Sequence, residues 1–106
     1  MNGRIVIVGY KPKPGKINDL IRLVNQHHSR LGKIGLVTDR KPVIAKAEDG
    51  TVVEIFEWAS EEAIQSAHEH PEVNKMWEEF SEVCEYVPVG ELPEMSRLFS
   101  EFDPVS

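Results

Sequence analysis

Residues 43–58 read VIAKAEDGTVVEIFEW. Two β-branched runs flank Asp49-Gly50, a strong hairpin signal, because both residues tolerate the positive φ of a tight type I′ turn. The expected strands are Val43–Ala47 and Thr51–Trp58. Pro42 marks the edge or start of the first, since proline cannot donate to a ladder. On the return strand Val53 and Ile55 share one face, and Val52, Glu54, Phe56 and Trp58 share the other. Both faces are largely apolar, so this strand needs cover on both sides.

The same holds upstream. Ile5–Tyr10 (IVIVGY) reads as a strand, with Ile5 and Ile7 on one face and Val6, Val8 and Tyr10 on the other. KPKPG then breaks the chain. Ile17, Leu20, Ile21, Val24, His28 and Leu31 recur at helical spacing, which predicts an amphipathic helix ending between Gly32 and Gly35. His27 falls nearer the edge of that stripe.

Downstream, Ser60 is placed to cap a short helix running to about Glu69, with Glu61 and Glu62 at its positive end. Pro71 restarts the helix at a position proline favours. Val73, Met76, Trp77, Phe80, Val83 and Cys84 form its stripe. YVPVG reads as a last short strand, with Pro88 pointing to an edge. After Pro93, the residues Met95, Leu98, Phe99 and Phe102 follow i, i+3, i+4, i+7, which predicts a short amphipathic tail helix.

The order strand, helix, strand, strand, helix, strand is an α+β class arrangement, the ferredoxin-like split βαβ. One domain is expected over residues 1–90. The tail helix of residues 91–106 is expected to pack on the domain or on a partner chain. Both helices of such a unit cover one sheet face. The other is apolar here as well, and a patch of that kind is unusual in a monomer. A second copy packed sheet to sheet would bury it, so the expected state is a homodimer.

The chain has 106 residues, with 12 Lys and Arg against 18 Asp and Glu, a formal charge of −6. That balance argues against nucleic acid as a partner, because phosphate backbones require clustered positive charge. Cys84 is the only cysteine, so no internal disulfide framework exists. The N-terminal apolar run is too short for a secretory signal, and no stretch approaches the roughly 18 apolar residues of a membrane span. The expectation is a cytoplasmic protein that does not enter membranes.

Several residues invite chemistry. Glu54 shares a strand face with Val52, Phe56 and Trp58. A carboxylate buried there must be paired or held neutral. It serves either as a base or as one half of an ion pair with Lys46, its approximate hairpin partner. His68 lies four residues after Ile64, on the side expected to face the core, where it is either a satisfied half-buried histidine or a proton carrier. His28, on the first helix stripe, reads first as a packed, hydrogen-bonded histidine and otherwise as a pocket residue. Trp58 ends its strand at a place that can border a cavity, and Tyr10 and Tyr86 can each donate a hydrogen bond into one. His68 and His70 are two apart on a helix and point apart, and no zinc-type spacing surrounds them, so no metal site is expected.

VVEIFEW followed by Ser60, Ala63, His68 and Pro71 resembles the antibiotic biosynthesis monooxygenase-like superfamily of dimeric α+β barrels. GLVTDR and DGTVVEIFEW resemble a hypothetical-protein branch of it. The likeness covers roughly residues 4–90. It implies a dimeric α+β barrel and an oxygenase that needs no metal, flavin or other cofactor, acting on a quinol-like or phenolic small molecule. His68 or Glu54 would be the base, with Phe56 and Trp58 as pocket walls. The haem-degrading branch carries an asparagine on the first strand and an iron-ligating histidine on a later helix. Here the first strand has no asparagine, and Trp77 falls at about the ligand position. A non-catalytic dimeric module, binding a small apolar molecule or serving as a structural domain, is the alternative.

Overall fold

The central hairpin forms, but on a different turn. In the computed structural model, which describes residues 3–105, β2 (Val43–Lys46) and β3 (Val52–Trp58) run antiparallel. The link is a three-residue loop, 48–50, closed by the Ala47 N–H donating to the Thr51 carbonyl at 2.8 Å. Only Gly50 takes a positive φ, at 93°. Asp49 stays out of the left-handed region, and its Oδ1 accepts from the Thr51 N–H at 2.8 Å. A turn followed by one left-handed glycine thus replaces the expected type I′ turn. This sets the register: Glu54 lies opposite Ile44, and Lys46 opposite Val52. The expected Glu54–Lys46 pair therefore does not form.

The remaining elements are β1 (Arg4–Pro12), α1 (Ile17–Lys33), α2 (Glu61–Ala67), α3 (Pro71–Val83), β4 (Cys84–Val87) and β5 (Asp103–Pro104). They give an α+β chain with a five-stranded antiparallel sheet in the order β4-β1-β3-β2-β5. β4, with Pro88 just beyond it, lies at one edge.

Local chemistry sets the helix ends. Ser60 Oγ accepts from the Ala63 N–H at 3.0 Å, and His70 Nδ1 accepts from the Glu72 N–H at 3.1 Å with Pro71 at the first helical position. α1 has no side-chain cap, but Asp19 in its first turn and Arg30 and Lys33 in its last suit the helix dipole. Arg30 also ties α1 to α3 through Glu72 at 3.0 Å and Glu79 at 2.5 Å.

All three helices cover the same sheet face, and the core there divides in two. One cluster gathers Tyr10, Leu20, Val24, Val52, Phe80 and Val83. The other gathers Leu31, Leu36, Phe56, Ala63, Val73 and Met76. Each fully buried Leu, Val, Phe or Met side chain contributes roughly 1.5–3 kcal/mol. Trp77, expected inside, is exposed. The inward positions of α3 are Val73, Met76, Phe80 and Val83, and Trp77 sits at their margin.

The opposite face is open. Ile5 and Ile7 of β1 and Val43 of β2 are exposed. The tail crosses part of this face without the expected amphipathic helix. It makes two short 3-10 turns, Val89–Glu91 and Pro93–Ser96, and then β5 on the edge of β2. Leu92 packs on Ala47 and Val53. Leu98 and Phe99 are 93% and 77% exposed. An isolated helix this short is marginal in water, whereas β5 gives the tail ladder bonds on β2. Among the described residues, no helix is long and apolar enough to cross a membrane.

Candidate functional site

Between the two core clusters lies a polar layer. β3 runs Val52, Glu54, Phe56 on its inner face. α1 runs Leu20, Val24, His27, Leu31 at buried positions. In each element the apolar neighbours belong to the two clusters and the polar residue to the boundary. Glu54 is 0% exposed and His27 8%.

The layer is one hydrogen-bonded unit. The Tyr10 hydroxyl donates to Glu54 Oε1 at 2.6 Å, and His27 Nδ1 lies 2.9 Å from the same oxygen. With Glu54 as a carboxylate, Nδ1 carries the proton and donates. Glu54 Oε2 is buried and has no partner among the described residues.

Aromatic rings enclose the unit. Tyr10 stacks on Phe80 with centroids 5.0 Å apart and lies 5.5 Å from Tyr86. His27 meets Phe56 and Phe80 edge-on at 5.4 and 5.3 Å. Burial, and next the Glu54 charge, push the Tyr10 phenol far above its ordinary value, so it remains a donor. Burial likewise raises the Tyr86 phenol. Cys84 bonds the Phe80 carbonyl at 3.2 Å, and burial pushes its thiol up to about 11, which leaves it unreactive.

The sequence-predicted residues therefore separate. Glu54, Tyr10, Phe56 and Tyr86 come together. Trp58 stands beside the group, 5.2 Å from Phe56. His28 does not join it. The histidine on the inward stripe is His27, and His28 Nε2 donates to the Thr38 carbonyl at 2.9 Å from a half-buried position. His68 does not join it either. The inward positions of α2 are Ala63 and Ala67, and His68, one residue past the helix, turns outward. Its Nδ1 donates to the Ile64 carbonyl at 2.9 Å and its ring meets Trp77 edge-on at 5.6 Å.

His27 is the member that sequence reasoning missed. The signal was present: Leu20, Val24, His27 and Leu31 fall at i, i+4, i+7 and i+11, a complete helical stripe.

A second concave feature lies on the open sheet face. A groove of about 420 Å³ runs between the sheet and the tail, lined by Ile7, Val43, Val53, Ile55, Met95 and Phe102 among others. Among the described residues, no group of three or more His, Cys, Asp or Glu side chains is placed to hold a metal ion. No known protein family matches the chain, and no curated protein or solved structure matches it.

Proposed function

We propose that the protein is a homodimeric, ferredoxin-like α+β barrel that acts on a small phenolic or quinol-like aromatic as a cofactor-independent monooxygenase. The observation that carries this reading is the Glu54 carboxylate, fully buried, held on one oxygen by Tyr10 and His27, and without a partner on the other among the described residues. Packing alone is better served by an apolar side chain at that place, because a buried charge is costly. In this reading Glu54 takes the proton of a substrate hydroxyl. The O–H bond breaks, the electron pair stays on the substrate oxygen, and the resulting anion is electron-rich enough to reduce dioxygen. The aromatic surround keeps water from competing. Because Glu54 is enclosed, the substrate reaches it only when the rim of the aromatic surround opens. Strand order β4-β1-β3-β2 with the helices on one face supports the ferredoxin-like assignment. The apolar open face supports the pairing of two copies.

The test is oxygen uptake with a panel of hydroquinones and naphthols. The reading expects protein-dependent uptake, lowered about a hundredfold or more in Glu54→Gln. No uptake with any member of the panel overturns it.

A second reading has its own support. The groove on the open face is apolar, and its size falls within the range of small-molecule sites. A non-catalytic dimeric module that binds a small apolar molecule there expects Glu54→Gln and His68→Ala to leave ligand affinity nearly unchanged. A large rate loss in either variant excludes it.

A further inference from the structure

We propose that Glu54 Oε2 is the binding point for an O–H or N–H donor on a small, flat, uncharged aromatic ligand, and that His27 is the positioning residue that keeps this oxygen available. The inference rests on Glu54 being the working carboxylate of the function proposed above. The two oxygens of Glu54 stand in different situations. Oε1 receives the Tyr10 hydroxyl and His27 Nδ1, which use its two lone-pair directions. Oε2 is equally buried and, among the described residues, receives no side chain or backbone group. Nearly all buried polar atoms in folded proteins have a partner, so a bare carboxylate oxygen beneath aromatic rings calls for a donor from outside the chain.

His27 makes that division. Phe56 and Phe80 clamp its ring edge-on from two sides, so Nδ1 stays aimed at Oε1. With two donors on Oε1, the carboxylate cannot rotate to exchange its oxygens without breaking both bonds.

The surroundings select the ligand class. An anion would meet the Glu54 charge. A cation would be stripped of water at a site with no solvent exposure, which costs far more than desolvating a neutral hydroxyl. A flat ring suits neighbours that are rings themselves. Tyr86, 49% exposed on the edge strand β4, is the half-open member of the aromatic group and lies 5.5 Å from the Tyr10 ring.

The test is an NMR titration of the full chain with 4-ethylphenol and its methyl ether, 4-ethylanisole. Wild type is expected to bind the phenol about tenfold or more tighter, as a hydrogen bond to a charged group requires, with shifts at the His27 and Tyr10 rings. In Glu54→Gln, the amide oxygen must face the two existing donors, which puts an NH2 where Oε2 was. The preference then disappears. His27→Asn keeps an N–H near the Nδ1 position and retains the preference, while His27→Phe removes the donor and loses at least threefold of it. Binding of neither probe up to millimolar concentration, a wild-type preference below about threefold, or a preference that survives Glu54→Gln overturns the binding point. Equal loss in His27→Asn and His27→Phe overturns the positioning role. Oxygen uptake separates the two proposals. Discriminating binding without uptake removes the oxygenase and keeps this site, and uptake without discrimination does the reverse.

Discussion

At residue 54 a carboxylate occupies a position where a leucine would pack. Its burial was legible, because alternation along β3 put it on the face of Val52 and Phe56. Its partners were not. Lys46 was expected across the hairpin, but the loop spans three residues rather than two and sets Lys46 opposite Val52. The choice between His27 and His28 turns on about 100° of helix rotation, and only packing against β3 and α3 resolves two adjacent histidines. Charge pairing at this scale gives a pH prediction. The hydrogen bond from Arg30 holds the Glu79 carboxyl below its usual value of 4.5. A carboxyl lowered by folding adds stability above its unfolded pKa, and the contribution fades as pH falls through the lower folded value. The pair is partly exposed, so it is worth at most about 1 kcal/mol. Urea midpoints measured downward from pH 7 should therefore fall less steeply below about 4.5 in Glu79→Gln than in wild type. Identical pH profiles would contradict the pairing.

Among the elements, strands and helices were legible because their apolar periods are clean and their ends carry recognisable signals: Ser60, Pro71, and Gly35 just past α1. The tail was not. Met95, Leu98, Phe99 and Phe102 match a helical period, yet only Met95 and Phe102 line the groove, and the backbone instead pairs with β2. Glu94, buried in the second 3-10 turn, accepts from the Glu48 N–H at 2.8 Å and pins the tail to the hairpin loop. Deleting residues 91–106 removes that bond, the buried Leu92 and β5. The melting temperature should fall by about 5 °C or more, and an unchanged melt would show that the tail carries no stability. The β1–β4 pairing makes a second element-level prediction. A Cβ at Gly9 would stand 2.5 Å from the Val87 carbonyl oxygen, a backbone atom that cannot swing aside. Gly9→Ala should push β4 off β1 and cost on the order of 1–3 kcal/mol in urea denaturation. A midpoint within error of wild type would mean that the strands part without strain.

For the whole molecule, the decisive feature is a sheet apolar on both faces. Helices cover one. On the other, Ile5, Ile7 and Val43 remain exposed, and Leu98 and Phe99 stand exposed on the tail. Both readings of function place two copies with these faces together: the oxygenase as a paired barrel, the binder as a groove closed by its twin. Ile7→Lys would put a charge on this open face and is expected to leave a folded species that sediments as one chain. The pairing itself is read most directly by sedimentation velocity of the purified chain at micromolar concentration. The account predicts a single species of about 24 kDa, twice the 12.0 kDa of one chain. A folded species sedimenting as one chain of 12.0 kDa would contradict it.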